Sequence, residues 1–226
     1  MSNAIWIIVY DLKNARKDEY LRWFHDVHIP EKLARPGYTW AAHYQVLRDD
    51  DETPSNNGHI GCIALFGGQS TSVFYNPSPA QIKPTQSEET RDMMTCRMNS
   101  QSLILSEEWT SQGQVIGDGI NPAISADIIS LALCNAAGND EDFGAWLVQE
   151  HLKSAGQVPG TIRVRKFLAS TGGAKHAVIH ERENVSASPM AFTRGENGEW
   201  NARVETYVSY PLGQPKTATL LWPVPS

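Results

Sequence analysis

The sequence predicts an α+β fold in which two similar halves pack sheet to sheet as one intramolecular barrel. Three observations favour this class. The chain repeats itself at a constant offset, strand-length apolar runs alternate with amphipathic helical stretches, and a polar segment rich in Gly separates the halves. We therefore expect a first repeat over residues 1–110, a linker over 111–125 and a second repeat over 126–226.

The repeat is carried by residue types that are rare in this chain. When residues 19–46 are aligned without gaps on residues 142–169, Trp23 falls on Trp146 and His28 on His151. Trp and His each account for only 7 of the 226 residues, so this coincidence favours duplication. Two pairs of turn residues and two apolar runs obey the same offset: Pro36/Pro159, Gly37/Gly160, and Ile5–Tyr10 with Ile128–Leu133.

The elements of the first half follow in order. Ile5–Tyr10 is a short β-branched and aromatic run, which predicts a buried strand. Tyr20, Trp23, Phe24 and Val27 recur at helical spacing, which predicts a helix over Asp18–Leu33. The remaining predictions are strands over Thr39–Leu47 and Ile60–Phe66, an exposed loop over Asp49–Asn57, a helix over Ser87–Asn99 and a strand over Gln101–Trp109.

The second half repeats this order with one weak element. Its second helix is expected to be short or absent, because Pro189, Gly195 and Gly198 interrupt the segment where it should lie. The tail Thr217–Val224 is expected to add an edge strand. The other predictions are strands over Asp127–Cys134, Ile162–Leu168, Lys175–Arg182 and Arg203–Tyr210, and a helix over Glu141–Lys153.

A β-α-β-β-α-β unit is ferredoxin-like: helices cover one face of a four-stranded antiparallel sheet and the other face stays bare. Packing two ferredoxin-like repeats by their bare faces removes two large apolar patches from solvent. This requirement predicts the intramolecular barrel.

Composition excludes several classes of protein. The formal net charge of −6, from 19 Lys and Arg against 25 Asp and Glu, argues against nucleic-acid and anionic-membrane binding. No membrane-length apolar run and no secretion signal are recognised, so a cytoplasmic location is expected. The three cysteines form no C-x-x-C pair, which favours reduced thiols over disulfides or structural zinc.

The segment EYLRWFHDVHIPEKLARPGY, residues 19–38, resembles the signature of EthD-like proteins in the dimeric α+β barrel superfamily. In that signature an aromatic-rich helix ends near a His and is followed by Pro-Gly and an aromatic residue in a strand. The matching positions are Trp23, His28, Pro36, Gly37 and Tyr44, and in the second half Trp146, His151, Pro159, Gly160 and Phe167. The resemblance implies a fused tandem version of a unit that usually dimerises. Its superfamily includes cofactor-independent monooxygenases, isomerases, dehydratases, decarboxylases and haem proteins.

His28 is the first candidate for chemistry. It lies on the flank of the apolar stripe of its helix, where a neutral imidazole could move a proton near pH 7. The alternative is a ring that packs at the edge of the core and caps the last carbonyls of the helix. His25 lies one turn away, but no third ligand is suitably spaced, so neither a metal nor another cofactor is predicted.

Alternation along two strands of the second half suggests a cationic lining. Arg163 and Arg165 share one face of the first strand, and His180 lies on the polar face of the next. At the repeat offset, Trp40 and Tyr44 would line the same interior with aromatic rings. Aromatic walls with a few cations suit a flat ligand that carries a carboxylate or phenolate. The alternative is a solvated sheet face.

The leading hypothesis is a cofactor-independent enzyme that acts on an aromatic or polyketide-like, anionic metabolite. His28 would move a proton, His43 or Tyr44 would orient the substrate, and Arg163 and Arg165 would hold its anionic group. Trp40, His151 and His180 complete the predicted lining. Isomerase, dehydratase, decarboxylase and monooxygenase chemistry all remain open. A non-catalytic ligand-binding or structural pathway protein and a haem-binding barrel are the alternatives, and a homodimer of tandem barrels is left open.

Overall fold

The computed structural model describes residues 4–47, 58–115, 123–183 and 198–223. Eight strands occur in these ranges: β1 (Ala4–Lys13), β2 (Tyr38–Val46), β3 (His59–Gly68), β4 (Arg97–Gln112), β5 (Ile128–Cys134), β6 (Thr161–Thr171), β7 (His176–Arg182) and β8 (Lys216–Trp222). They form one closed antiparallel barrel in the order β1-β3-β2-β8-β5-β7-β6-β4. The predicted loop over Asp49–Asn57 lies outside the described residues.

The predicted fold class, two ferredoxin-like repeats packed sheet to sheet, is wrong. The barrel closes edge to edge, because β2 pairs with β8 and β4 pairs with β6. All eight strands therefore belong to one continuous sheet. Alternation within a strand specifies its apolar face but not what covers its edge, and closure satisfies the N–H and C=O groups that free edges would expose.

Both halves of the barrel use the same strand order, β4-β1-β3-β2 in the first and β8-β5-β7-β6 in the second. The division into repeats over 1–110 and 126–226 stays a prediction. β4 runs past its first boundary, and the segment from Glu107 to Gln112 pairs with β6 of the other half. Part of the predicted linker, residues 116–122, lies outside the described residues.

Short helices cover the outside of the barrel. They are α1 (Lys17–Trp23), α2 (Ile29–Leu33), α3 (Pro79–Ile82), α4 (Glu88–Met94), α5 (Asp140–Trp146), α6 (Leu152–Gly156) and α7 (Glu199–Tyr207). α1 and α2 are joined by a π-helical turn, Phe24–His28, and α5 and α6 by another, Leu147–His151. Each π-turn ends on the histidine that the repeat aligns. Pro30 follows the first turn but Lys153 stands at the equivalent position of the second, so proline is not the common cause.

Two predictions in the second half are wrong. The predicted strand Arg203–Tyr210 largely overlaps α7, because Trp200, Val204 and Tyr207 recur at helical spacing and pack on the core of that half. The tail expected at a sheet edge is β8, which pairs with β2 on one side and β5 on the other. The segment with Pro189 and Gly195 lies outside the described residues.

The barrel interior is filled by alternate residues from all eight strands. Ile7, Leu65, Leu103 and Ile179 are among those with no exposed surface, and they are joined by Tyr44. Two further apolar clusters lie outside the barrel, one under the helices of each half. The first includes seven aromatic residues, most of them from β1, β3 and the α1–α2 stretch, and is called the first outer layer below. The second outer layer is its counterpart under α5–α7.

Candidate functional site

The arginines of β6 point into the barrel and belong to a buried ion cluster. Arg163 Nη2 and Arg165 Nε each donate to a carboxylate oxygen of Glu181 at 2.8 Å. Both arginines also donate to the Ala123 carbonyl, at 2.9 and 3.3 Å. The two guanidinium groups predicted to hold a substrate anion therefore already have an anion and a carbonyl within the fold.

Tyr44 lies near this ion cluster and closes the same end of the barrel. Its hydroxyl donates to the Ala126 carbonyl at 3.0 Å, and Ile124 inserts into the interior core without exposed surface. Burial, followed by the charge of Glu181, raises the pKa of the Tyr44 hydroxyl. Residues 123–127 thus cover this end and are held by hydrogen bonds from the inside.

Trp40 lies further along the interior, opposite Gly67 of β3. A Cβ at Gly67 would come within 2.1 Å of the Trp40 indole nitrogen, so only glycine leaves room for the ring. Trp40 and Tyr44 share the interior with the β6 arginines, as alternation predicts. The space between them is filled by apolar side chains.

His151 and His180 lie in the second outer layer, on the opposite side of the sheet from Arg163 and Arg165. Their Nε2 atoms are 3.3 Å apart, and His151 stacks on Trp146 with ring centroids 4.9 Å apart. Burial, with a contribution from His151, lowers the pKa of His180 well below its ordinary value. The second layer therefore contributes no histidine to the interior that the arginines line.

His28 lies in the first outer layer, where the π-turn directs its ring inward. The ring packs on Trp23 at 4.8 Å and on Phe24 at 5.4 Å between centroids. Burial, followed by the charges of Lys32, Arg97 and Arg35, lowers the pKa of His28 to about 2. His28 is therefore a neutral imidazole surrounded by cations.

Lys32 and Arg97 bring positive charge to the inner side of the first outer layer. Lys32 is 4% exposed and places Nζ 5.4 Å from the centroid of the Trp6 ring. Burial, followed by the charges of Arg35 and Arg97, lowers the pKa of Lys32 to about 8. The Arg97 guanidinium lies over the Tyr10 ring, 4.2 Å from its centroid.

Within the described ranges, no carboxylate lies within 4.0 Å of the side-chain nitrogens of Lys32, Arg35 or Arg97. The second outer layer differs, since Lys166 pairs with Glu108 and His176 pairs with Asp140 at 2.7 Å. Buried cations are normally paired, because removing charge from water is costly. The first outer layer therefore holds uncompensated positive charge.

Five buried nitrogen atoms around these cations also have no hydrogen-bond partner: Trp6 Nε1, Trp23 Nε1, His28 Nδ1, Arg35 Nη1 and Arg97 Nη2. Four of them are N–H donors, and His28 Nδ1 is a donor or an acceptor according to its tautomer. We call the group Trp6, Trp23, His28, Lys32, Arg35 and Arg97 the cationic pocket. Unsatisfied buried polar groups are rare, so this group of five marks a candidate place for a hydrogen-bonding ligand. The second outer layer also contains such atoms, Trp109 Nε1 and His176 Nδ1.

Residual exposure separates this pocket from the barrel interior. Trp6, Trp23, His28 and Lys32 keep 4–6% of their surface exposed, as do their neighbours Ile8, Met93 and Ile104. Most interior residues, by contrast, are 0–2% exposed. The side chains of the first outer layer are therefore slightly more accessible to solvent than those in the middle of the barrel.

His43 points away from its neighbour Tyr44, into the first outer layer. It is fully buried between Tyr10, whose Oη lies 2.8 Å from His43 Nε2, and His25, whose Nε2 lies 2.9 Å from His43 Nδ1. Burial, followed by the charges of His25 and Arg97, lowers the pKa of His43 well below its ordinary value. Of the eight predicted site residues, only His28 and His43 lie in this layer.

The sequence analysis missed most of the cationic pocket, although one signal was available. His28, Lys32 and Arg35 stand at i, i+4 and i+7, so they share one face of a helix. Trp6 and Tyr10 likewise share a face of β1. Arg97 carries no such signal, because β4 brings it to the pocket from more than 60 residues away.

Two absences apply to the described part of the chain. No group of three or more His, Cys, Asp or Glu side chains is arranged to hold a metal ion there. No helix in those ranges is long and apolar enough to cross a membrane.

Comparison with solved structures finds similar barrels along almost the whole chain. An anthrone oxidase-like protein matches with a TM-score of 0.60 and 12% identity, covering 98% of this chain and 92% of its own. A monooxygenase candidate from Fusobacterium nucleatum subsp. nucleatum matches with a TM-score of 0.52 and 10% identity, covering 97% and 93%. At such identities the likeness shows the fold alone.

No family model and no curated protein matches the sequence. The resemblance to EthD-like proteins therefore rests on the motif of residues 19–38, while the structural neighbours are the oxidase-like and monooxygenase-type barrels.

Proposed function

We propose that this chain is a cofactor-independent enzyme of the oxidase or monooxygenase type, which binds a flat aromatic substrate as its anion in the cationic pocket. The observation that carries the proposal is the set of buried, unpartnered nitrogen atoms beside three cations that have no carboxylate within 4.0 Å among the described residues. An anionic oxygen on an aromatic ring would accept hydrogen bonds from several of these N–H donors, and its charge would neutralise the cations.

The electrostatics of the pocket favour forming that anion in place. Opposite charge close to a phenol or enol lowers its pKa, and the effect is strong where water is excluded. Lys32, Arg35 and Arg97 supply the charge, and the rings of Trp6 and Trp23 supply aromatic walls. The same groups bind the neutral acid less well, so the pocket discriminates in favour of the ionised state.

The fold neighbours support oxidation among the reactions that begin with such an anion. An electron-rich aromatic anion is a donor to O2, which we name as the second substrate. When an anthrone-type methylene carbon becomes a carbonyl, one oxygen atom enters the product. The other oxygen leaves as water with the two methylene hydrogens, so atoms and electrons balance without a bound cofactor.

His28 serves in this proposal as a hydrogen-bonding group. A pKa of about 2 makes its imidazole a weak base at neutral pH, because a general base works best with a pKa near the working pH. A permanently neutral ring can still fix the position of a substrate hydroxyl. The interior residues Trp40, Tyr44, Arg163 and Arg165, and the second-layer residues His151 and His180, have no role in the pocket.

The direct experiment is oxygen uptake by the purified chain with 1,8-dihydroxyanthrone in the presence of a chelator. We expect one O2 consumed per substrate molecule, and at least a tenfold loss of kcat/KM in Lys32→Met and Arg97→Met. Lys166→Met is the matched control, because it removes a buried lysine from the second outer layer. Binding of the substrate without oxygen uptake would overturn the enzymatic proposal in favour of a ligand-binding protein, and equal activity in all variants would overturn the site.

A further inference from the structure

Four hydrogen bonds connect the cationic pocket with the protein surface through the first outer layer. Arg97 Nε donates to Tyr20 Oη at 2.5 Å, and Tyr20 Oη donates to Tyr10 Oη at 3.2 Å. Tyr10 Oη lies 2.8 Å from His43 Nε2, and His43 Nδ1 lies 2.9 Å from His25 Nε2. Tyr10, Tyr20 and His43 have at most 1% exposed surface, whereas His25 is only half-buried.

All four hydrogen bonds of this series donate in the same direction. Arginine can only donate, so Tyr20 accepts from Arg97 and gives its own proton to Tyr10. The Tyr10 hydroxyl then donates to His43 Nε2, which places the His43 proton on Nδ1, facing His25 Nε2. Each bond thus points from the pocket towards solvent.

Both ends of this series of hydrogen bonds are suited to proton exchange. At the inner end, Tyr20 Oη keeps one lone pair that is not used by Arg97, which itself borders the pocket. At the outer end, His25 stacks on Trp222 at 6.3 Å between centroids, and Asp26 is the nearest charge that acts on it. His25 is therefore the point at which the chain meets water.

Within the described part of the protein, no carboxylate interrupts this series of hydrogen bonds. The groups that face it are Cys62 beside Tyr10 and the Arg97 guanidinium beside Tyr10, Tyr20 and His43. Burial raises the pKa of both tyrosines and lowers the pKa of both histidines, so all four rest in their neutral forms. A chain of neutral donor-acceptor groups can pass a proton without trapping it.

The second half of the barrel contains no equivalent chain. At the repeat offset, Phe143 stands for Tyr20, Val148 for His25 and Lys166 for His43. Both halves nevertheless build the same helical stretch with its π-turn. The hydroxyl and imidazole groups are therefore not required by the fold.

We propose that Tyr20, Tyr10, His43 and His25 form a proton conduit that carries the proton released when the substrate ionises from the cationic pocket to solvent. This inference rests on the proposed function and adds the route of the proton to it. Tyr20 is the group that receives the proton, and Tyr10, His43 and His25 act through it.

The transfer balances at every atom. The substrate O–H bond breaks and its proton forms an O–H bond at Tyr20, while the proton of Tyr20 moves to Tyr10. The proton of Tyr10 moves to His43 Nε2, and the Nδ1 proton of His43 moves to His25 Nε2. His25 then releases its Nδ1 proton to water, and both imidazoles have exchanged tautomers without a net change of charge.

The test compares Tyr10→Phe, which removes one oxygen atom from the middle of the chain, with Tyr207→Phe, which removes a hydroxyl bound to Asp142 in the second outer layer. We expect Tyr10→Phe to lower kcat at least tenfold, with KM and the Kd for 2-naphthoate within twofold of the wild type. We expect the solvent deuterium isotope effect on kcat to change in Tyr10→Phe only. His25→Ala should lose activity and regain it in added imidazole, which Tyr10→Phe should not.

Unchanged kcat in Tyr10→Phe, or a fall in 2-naphthoate affinity as large as the fall in kcat, would overturn the conduit. A second readout requires no turnover, so it separates this inference from the proposed function. Exchange of the Tyr20 hydroxyl proton with water, measured by NMR, should slow at least tenfold in Tyr10→Phe. Equal exchange in Tyr10→Phe and wild type would overturn the conduit even if no substrate were turned over.

Discussion

Lys32 is the residue whose environment departs furthest from the ordinary for its type. It is an amine with almost no exposed surface, held against the Trp6 ring, and no carboxylate of the described residues lies within 4.0 Å of it. Such a site costs stability, because burial opposes the charged form and cation–π contact returns only part of the loss. A cost of this kind is retained in proteins where the charge has a function.

Replacement of Lys32 by Met tests this residue. The side chains are similar in length, so packing is kept while the buried charge is removed. We expect the free energy of unfolding at pH 7 to rise by about 2 kcal/mol, after the lost cation–π contact is subtracted. We expect the affinity for 2-naphthoate to fall roughly tenfold, the usual value of one charged hydrogen bond. Urea unfolding and calorimetric titration measure the two effects.

The pH dependence of binding provides the control for Lys32. The pKa of its amine is about 8 in the free protein, and an anion binds the protonated form better. Wild-type affinity for 2-naphthoate should therefore decline above pH 8, and this decline should be absent in Lys32→Met. The same decline in both proteins would show that another group titrates.

Individual residues show which parts of the candidate site could be predicted from the sequence. Alternation correctly placed Arg163 and Arg165 on one face, but Glu181, which binds both, lies on the next strand and cannot be paired with them from spacing. The spacing of apolar residues in the first helix predicted His28 as a candidate site residue. It did not place the ring, because a π-turn rotates the helix in a way that a 3.6-residue repeat cannot represent.

At the scale of elements, β6 and β7 together hold the segment that closes one end of the barrel. Glu181 is nearly fully buried and accepts from both arginines of β6, which also bind the Ala123 carbonyl. Removing one member of a buried ion cluster leaves uncompensated charge. This ion cluster therefore stabilises the fold, and it is separate from the cationic pocket.

Glu181→Gln should destabilise the protein by about 3–5 kcal/mol, because two guanidinium groups lose a buried carboxylate that both of them bind. Affinity for 2-naphthoate should be unchanged. Asp92→Asn is the matched control: Asp92 pairs with Arg16 at the surface, where an ion pair contributes at most about 1 kcal/mol. Loss of ligand affinity in Glu181→Gln without loss of stability would contradict the cationic pocket and indicate that the substrate binds in the barrel interior.

Elements also mark where sequence patterns failed. Residues 203–210 contain Val, Thr and Tyr, which favour strands, yet α7 forms there. Asp142 of α5 accepts hydrogen bonds from Trp200, Arg203 and Tyr207 on one helical face. These partners are about 60 residues away, so local propensity was overridden by tertiary contacts. β8 was predicted only as an edge strand for the same reason, since the two strands that pair with it are distant in the sequence.

At the scale of the whole molecule, the folded state excludes protons from its histidines. His28, His43 and His180 all have a pKa below the ordinary 6.5, principally because of burial. Between the folded pKa and 6.5, the unfolded chain binds more protons than the folded one. Stability therefore rises with pH across this window and is lost as pH falls below 6.5.

Unfolding in urea at pH 7, 6 and 5 measures this effect. These three sites alone give a limiting slope of about 4 kcal/mol per pH unit, and the lowered pKa values of His25 and His176 add to it. We expect His28→Gln to reduce the limiting slope by about 1.4 kcal/mol per pH unit, the contribution of one excluded proton. A stability that is flat from pH 7 to 5 would contradict the burial of these rings.

The closed barrel explains why the proposed pocket lies outside its centre. A continuous eight-stranded sheet fills its interior with side chains, as small barrels do. The proposed pocket lies between the sheet and its helices. Both halves provide such a layer. In the described ranges, Lys32, Arg35 and Arg97 of the first have no carboxylate within 4.0 Å, whereas Lys166 and His176 of the second pair with Glu108 and Asp140.

Calorimetric titration with 2-naphthoate and its neutral analogue 2-naphthamide, on wild type and Arg97→Met, tests the anion pocket most directly. The two ligands share a ring system and differ in charge. The wild type should bind the carboxylate at least tenfold more tightly than the amide, and Arg97→Met should lose that preference. Equal affinity for the two ligands in the wild type would contradict the pocket.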